Sequence, residues 1–236
     1  MKAKPLLRSA WQWIKKIFIL LFLAQFLYIL LLKWINPPIT ITQLESWVTG
    51  HGMKRDYVNR NAISPNARLA VIASEDQLFP DHEGFDWKSI KKAMKYNERK
   101  PGRIRGASTI SQQVAKNVFL WQGRSKFRKA LEVYFTFMIE VFWGKNRIME
   151  VYLNVIEMGD GIFGIEMASE IYFNKPAKNL TKQEAAMIAA CLPSPKRYKL
   201  KPLSSFVARR AGTIVQQMNN LQSDPDIQRV VGTQSP

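Results

Sequence analysis

Two stretches of this chain hold residue types suited to chemistry. They are Glu75-Asp76-Gln77-Leu78-Phe79-Pro80-Asp81-His82-Glu83-Gly84 and Gly106-Ala107-Ser108-Thr109-Ile110-Ser111-Gln112-Gln113-Val114-Ala115-Lys116-Asn117. The first sets two adjacent carboxylates at the end of an expected helix, with a histidine close behind. In the last turn the helix dipole disfavours negative charge by roughly 0.3–1 kcal/mol per residue. Dipole and like charge together would raise the pKa of one carboxyl toward that of a useful base. A solvated acidic turn is the plain alternative, and His82 by itself reads equally as a structural histidine. In the second stretch, Gln112 and Lys116 lie one turn apart with Gln113 and Asn117 beside them, while Val114 and Val118 turn to the core. Backbone N–H groups at the helix start, with the hydroxyls of Ser108 and Thr109 and the flexible Gly106, suit an anion such as phosphate. An ordinary capped surface helix is the competing reading here. Arg103 and Arg105 add positive charge just upstream. A third group, Arg128-Lys129-Ala130-Leu131-Glu132, spaces Arg128 and Glu132 one turn apart, as in a weak surface ion pair. An apolar run from Val133 to Trp143, broken by Thr136 and Glu140, sets Glu132 at the edge of a hydrophobic surface.

The elements that must position these groups read as helices, because alternating strand patterns are scarce. Ser64-Pro65 is a helix start of the N-cap and N1 type, leading through Leu69, Ile72 and Ala73 to the Glu75 pair before Pro80 stops it. Thr109 with Gln112 fits a capping box that opens a helix to about Leu120. Further helices are expected over 125–143, 145–154 and 162–173, with Gly159, Gly161 and Gly164 in the loop between the last two. Thr181 with Glu184 is a second capping box, opening an Ala-rich helix to Leu192 that Pro193 and Pro195 terminate. An amphipathic helix over 203–221 precedes a polar tail, 223–236, expected to be disordered.

A chain of 236 residues with 47% hydrophobic content can bury one good core. Its formal charge of +17 draws it to nucleic acid, anionic lipid or a phosphorylated substrate. Ile17 to Leu32 is an apolar run in which Gln25 is the strongly polar exception, and Trp11, Trp13, Ile14, Trp34 and Ile35 lengthen it at both ends. Sixteen residues span roughly 24 Å, so those flanks bring the segment to the ~30 Å of a bilayer core. Lys2, Lys4, Arg8, Lys15 and Lys16 precede it without any acid, which puts the N-terminus in the cytoplasm and the rest outside. No small-x-small cleavage site follows, so the helix is expected to stay as an anchor. Removing the six basic residues of the first 35 leaves +11 on the exported part, which makes nucleic acid an unsuitable partner. Cys191, the single cysteine, can form no internal disulfide and reads as a small buried hydrophobe.

The three blocks, in this order, resemble the serial motifs of the family 51 glycosyltransferases, the peptidoglycan glycosyltransferases. So do Lys145-Asn146-Arg147-Ile148-Met149-Glu150-Val151-Tyr152-Leu153-Asn154, Gly159-Asp160-Gly161-Ile162-Phe163-Gly164-Ile165 with Tyr172-Phe173, and Glu184-Ala185-Ala186 with Leu192-Pro193-Ser194-Pro195. The match covers about 65–200, with Ser111 standing where the family often has threonine. One anchor and no room for a transpeptidase domain make it similar to the monofunctional branch of Gram-negative bacteria.

The resemblance implies a mostly α fold: a lysozyme-like glycosyltransferase domain over 37–222 with a smaller membrane-associated lobe, preceded by a cytoplasmic N-terminus and one transmembrane helix over 1–36. Residues 118–121 and 133–143 are expected either in that membrane contact or in the core. The implied reaction joins the C4 hydroxyl of lipid II to C1 of a growing glycan held on undecaprenyl pyrophosphate, with inversion. Glu75 would then be the base. Lys116 and Arg128, with Lys129 nearby, would bind the donor pyrophosphate. Glu132 would act in catalysis by holding a divalent metal, Mg or Mn, or by orienting the donor phosphates. Asp76, Phe79, His82, Ser108, Thr109, Gln112, Gln113 and Asn117 would shape the substrate site, where moenomycin-type donor mimics should also bind. The expected location is the bacterial inner membrane, single-pass, with the catalytic domain in the periplasm near divisome or other cell-wall synthesis proteins. A membrane-anchored muramidase or lytic transglycosylase would share the helical fold and the glutamate but would not need the Lys116 and Arg128 cluster. A basic, anchored scaffold that binds anionic envelope polymer or divisome partners would depend on its positive charge but not on Glu75.

Overall fold

The computed structural model describes residues 3–100, 102, 106–123 and 125–232. Arg103 and Arg105, expected beside the second block, lie outside the described residues. The chain separates into two compact units, Met1–Asn36 and Pro37–Pro236. The first is essentially helix α1, Ala3–Leu31, whose apolar span Trp11–Leu31 has a mean hydropathy of 2.1. No Gly or Pro interrupts the sequence after Pro5, so the helix runs through the tryptophans to a membrane-spanning length of roughly 30 Å. Phe18, Leu20 and Leu21 are exposed on it, as suits a helix solvated by lipid.

The second unit is mostly helical, as expected, and consistent with a lysozyme-like fold. Its helices are α2 (Ile41–Val48), α3 (Pro65–Glu75), α4 (Trp87–Arg99), α5 (Ile110–Phe119), α6 (Lys126–Phe142), α7 (Lys145–Val155), α8 (Ile165–Phe173), α9 (Lys182–Cys191), α10 (Ser205–Leu221) and α11 (Pro225–Val231). The spine is α3. Ser64 caps it by accepting the Asn66 N–H at 3.1 Å, and Pro65 occupies the first turn where no donor is needed. Leu69, Ala70, Val71, Ile72 and Ala73 are all buried, so this helix is apolar around most of its circumference and is enclosed by α9, α10 and α11. Each large aliphatic side chain buried there contributes about 1.5–3 kcal/mol. The site carboxylates therefore hang from a helix enclosed in the core of the unit.

Capping explains two further helices that hydrophobic pattern did not announce. The Thr40 hydroxyl accepts the Gln43 N–H at 3.2 Å while the Gln43 side chain accepts the Thr40 N–H at 3.1 Å, opening α2. Asp86 accepts the Ser89 N–H at 2.9 Å and opens α4. The expected boxes at Thr109–Gln112 and Thr181–Glu184 both form.

Two expectations are corrected. The helix expected over 162–173 begins only at Ile165, because Ile162–Phe163 form strand β3. This strand pairs parallel with β1 (Lys54–Arg55) and antiparallel with β2 (Glu157–Gly159), giving the order β1-β3-β2. Gly161, at φ +66°, makes the turn possible, since a Cβ there would stand 2.0 Å from the His51 carbonyl oxygen. The tail expected to be disordered over 223–236 instead contains α11. Ile227, Val230 and Val231 of that helix are buried, and the buried Arg68 donates Nε–H to the Val231 carbonyl at 2.8 Å. A short apolar triplet escapes a pattern reading, yet it suffices to dock a helix. Residues 233–236 lie outside the described residues.

Cys191 is fully buried in α9, and desolvation pushes its thiol up to about 11, in keeping with a packing role. The apolar stretches divide. Val118, Leu120, Met138, Ile139 and Trp143 are buried in the core, whereas Trp121, Val133, Phe137 and Val141 are exposed, the last three at four-residue spacing along one side of α6.

Candidate active site

The last turn of α3 presents Glu75, and the chain breaks from helix at Asp76. Two adjacent carboxylates at a helix C-terminus are unfavourable by themselves, and the fold offsets this by bringing another helix start to one of them. Asp76 Oδ2 accepts the Ile110 N–H, the first of α5, at 3.0 Å. His82 completes the arrangement. Its Nδ1 accepts the Gly84 N–H at 3.1 Å, which leaves Nε2 to donate to the Asp76 oxygens at 3.0 and 3.1 Å. Asp76 is thus a structural hub of the site, 7% exposed and fully engaged.

Glu75 is free of such obligations. One carboxylate oxygen, Oε2, accepts from Gln113 Nε2 at 3.0 Å, and Oε1 stands 4.0 Å from Arg210 Nη2. The hydroxyl of the buried Tyr152 donates to Gln113 Oε1 at 3.3 Å and so fixes which end of the amide faces Glu75. The Glu75 pKa lies above its ordinary value. Burial is the leading cause, Gln113 and Arg210 hold it down, and the Asp76 charge adds a smaller upward push. The elevation expected from sequence is present, but desolvation drives it more than like charge.

Glu75 lines a cavity of about 1030 Å³ together with Asp76, Ser108, Thr109, Gln113 and Arg210. A second cavity of about 530 Å³ is lined by Lys116, Asn117, Gln113 and Pro193, among others. Gln113 and Pro193 line both, so the two spaces meet at the amide that binds Glu75.

Lys116, on the wall of the second cavity, is within electrostatic reach of Arg128, Lys129 and Glu132. Arg128, 8% exposed, donates Nη1–H to Glu132 Oε2 at 2.8 Å and Nε–H to the Gly123 carbonyl at 2.9 Å. Lys129 binds the other Glu132 oxygen. The Arg128–Glu132 pair, read from sequence as a surface pair, is nearly buried. Lys116 has its pKa lowered, first by desolvation and then by Arg128 and Lys129, while Glu132 opposes the shift. Three cations around one carboxylate leave a net positive, partly desolvated corner, which suits a multivalent anion.

The remaining expected residues are held in place by a network of contacts, although Thr109 and Asn117 also line the cavities. Phe79 is fully buried, with Lys145 Nζ 4.7 Å from its ring centroid. Lys145 also donates to the His82 carbonyl at 2.5 Å and to Glu140 at 2.7 Å, and Ser111 donates to the same Glu140 oxygen at 2.5 Å. Thr109 donates to the Gly84 carbonyl at 2.7 Å, locking the two sequence blocks together. Gln112 is 3% exposed, and its amide oxygen closes the capping box, so it does not share the polar face with Lys116. Asn117 accepts from Thr42 at 3.3 Å and donates to the Gln113 carbonyl at 2.8 Å.

Glu132 was the residue expected to hold a metal. Both its oxygens have cationic partners, and among the described residues no group of three His, Cys, Asp or Glu side chains could hold an ion. A divalent ion held at Glu132 would have fewer than three such protein ligands among the described residues and would take the others from phosphate and water.

Sequence reasoning missed Arg210, Tyr152, Lys145 and Glu140. Arg210 comes from α10, far along the chain, and nothing local distinguishes it from its neighbour Arg209. Only the fold shows that it faces the site, through its place in the wall of the larger cavity and its approach to Glu75.

Residues 41–219 match the family described as Transglycosylase. A biosynthetic peptidoglycan transglycosylase from Mannheimia succiniciproducens is 58% identical over 166 residues, covering 70% of this chain and 68% of its own length. Proteins of the same description from Escherichia coli K12 and Shigella boydii serotype 4 are each 52% identical over 190 residues, 79% of this chain and 78% of their own.

Proposed function

This chain belongs to the transglycosylase family, and on that premise we propose that its joined cavities polymerise peptidoglycan glycan chains from lipid II. The observation that carries the reading is the arrangement across Gln113, with the raised-pKa carboxylate of Glu75 on one side and, on the other, Lys116 within electrostatic reach of Arg128 and Lys129. The growing glycan places its pyrophosphate at Lys116, Arg128 and Lys129. The incoming lipid II presents its C4 hydroxyl to Glu75. Glu75 takes the hydroxyl proton as the oxygen attacks C1 of the donor, the new C–O bond forms, and the bond from C1 to the pyrophosphate oxygen breaks with its electron pair leaving on phosphate. A single displacement of this kind inverts the anomeric centre.

Each part has a physical reason. A base works best with a pKa near the ambient pH, and burial moves Glu75 in that direction while Gln113 and Arg210 keep its charged form accessible. Pyrophosphate needs no protonation to leave if cations meet its developing charge, which accounts for the cluster around Glu132. A Mg or Mn ion carried by the donor would add neutralisation there, with Glu132 as its protein ligand. A glycan-cleaving enzyme would need a carboxylic acid for the sugar leaving group and would leave the cation cluster idle.

The α1 helix serves as a single-pass anchor in the inner membrane, its basic N-terminus cytoplasmic and the catalytic unit periplasmic. Such an anchor keeps the site near its lipid-linked substrates.

The test is incubation of the detergent-solubilised full chain with labelled lipid II and a divalent metal, beside Glu75→Gln, with products resolved by gel. The expected result is a lysozyme-sensitive polymer from the wild type and retained substrate binding without polymer from the variant. Fragment release from preformed glycan, with no polymer, would overturn the reading in favour of a lytic enzyme.

A further inference from the structure

Helix α4 carries a charge pattern that the reaction does not use. Its thirteen residues include Lys88, Lys91, Lys92, Lys95 and Arg99, Lys100 follows directly, and Glu98 is the lone acid among them. At 3.6 residues per turn, Met94, Trp87, Glu98, Lys91, Lys95, Lys88, Arg99 and Lys92 fall in that order around one arc of under half the circumference. All eight are exposed, Trp87 at 64% and Met94 at 57%. The opposite arc, with Ser89, Ile90, Ala93, Tyr96 and Asn97, is the one turned toward the protein, and Ala93 on it is buried. Among the ion pairs of the described residues, none involves Lys88, Lys91, Lys92, Lys95 or Arg99.

A solvated lysine face is common on soluble helices. Here the same arc also exposes a tryptophan and a methionine two turns apart at one edge of the cationic stripe. That pairing of an interfacial aromatic with flanking lysines is the composition of a helix lying on a bilayer, with the apolar edge at the headgroup boundary and the cations over anionic headgroups. Of the stripe, Lys92 lines the larger cavity, whereas Lys88, Lys91, Lys95, Trp87 and Met94 do not, so most of the face looks away from the substrate space.

We propose that the Trp87–Arg99 helix is a membrane-surface element that docks on anionic phospholipid headgroups through Lys88, Lys91 and Lys95, with Trp87 and Met94 seated at the interface. The proposal rests on the reading of α1 as a bilayer anchor, which puts a membrane within reach of the catalytic unit. Attraction to the headgroups would limit how far the cleft of a singly anchored unit swings from its lipid-linked substrates, and would weaken with salt.

The full chain is reconstituted into nanodiscs of phosphatidylcholine alone or with about one third phosphatidylglycerol, a fraction that gives a substantial negative surface potential. No substrate is present. Lysine reactivity toward an amine-acylating reagent is read residue by residue by mass spectrometry, with Lys178 as internal reference. Lys88, Lys91 and Lys95 are expected to react several-fold more slowly in the anionic discs and to recover in high salt, and Trp87 fluorescence, isolated by difference from Trp87→Phe, should be quenched by brominated lipid. Equal reactivity in both discs, or protection that appears only when lipid II is added, overturns the proposal. If the chain does not enter discs, the anchor reading fails separately, and the same footprint is read on the protein mixed with vesicles of the two compositions.

Discussion

The side-chain amide of Gln113 donates to the carboxylate of Glu75 at 3.0 Å, and the same residue lines both halves of the cleft. One short contact therefore ties the base of the proposed reaction to the wall between its two substrates. Changes at or around this contact should be visible in pH dependence before they are visible in structure.

Glu75→Gln is expected to abolish turnover by about two to four orders of magnitude, the usual worth of a general base. It should also raise the melting temperature at neutral pH. Burial lifts the folded-state pKa of Glu75 above its ordinary 4.5, so the folded chain holds that proton more tightly than the unfolded one. Stability from this group is complete below pH 4.5 and is lost as pH rises through the folded value. The uncharged variant escapes that loss, so the two melting curves should differ at pH 7 and converge toward pH 4. A shift of about 2–4 °C per kcal/mol is the scale to look for in calorimetry of the same detergent complex.

Arg210→Gln removes a positive charge that holds the Glu75 pKa down. The acidic limb of the kcat against pH profile should move to higher pH, while Arg210→Lys should restore most of the wild-type position. A profile that stays in place as activity falls would make Arg210 a packing residue of α10 instead.

Lys116 and Glu132 should separate function from stability. Lys116 is a half-buried cation whose charged form is disfavoured first by desolvation, so Lys116→Gln should lose roughly 100-fold in kcat/KM without loss of melting temperature. Glu132→Gln should lose both. It strips a charged partner from the nearly buried Arg128, at a cost of about 3 kcal/mol in a denaturant titration.

Gly84→Ala should destabilise by about 1–3 kcal/mol. The residue sits at φ +88°, and an added Cβ would meet Thr136 Cγ2 at 2.8 Å and Glu140 Cγ at 3.0 Å. Because Thr109 bonds the Gly84 carbonyl, the variant should also lower turnover at temperatures where it remains folded, which a parallel melt and activity series would detect.

The helices that bear the site were legible because their ends are written locally. Ser64-Pro65 and the Thr109–Gln112 box need only residues within one turn, and both form as the residues dictate. The order of the polar blocks was enough to mark Glu75, Lys116 and Arg128, since each block is a continuous run. Helices α2 and α4 are capped just as locally, but neither buries a large apolar side chain, so a reading led by apolar residues passes over them. The error at 162–173 came from reading Ile162-Phe163 as helix when pairing with distant Lys54-Arg55 decided otherwise.

The apolar anchor, the mostly helical architecture and the groups capable of chemistry can be read from the chain, because hydrophobic length, caps and residue type are properties of neighbours along it. What surrounds each of those groups follows from the packing of distant segments. Packing of α5 against the end of α3 turned Asp76 into a partner of the Ile110 N–H and left Glu75 with Gln113, and packing of α10 brought Arg210 to 4.0 Å from it. Burial, which sets the pKa of Glu75 and Lys116, is likewise a property of the assembled core: it depends on which distant surfaces exclude water from a side chain, and no stretch of sequence contains that information.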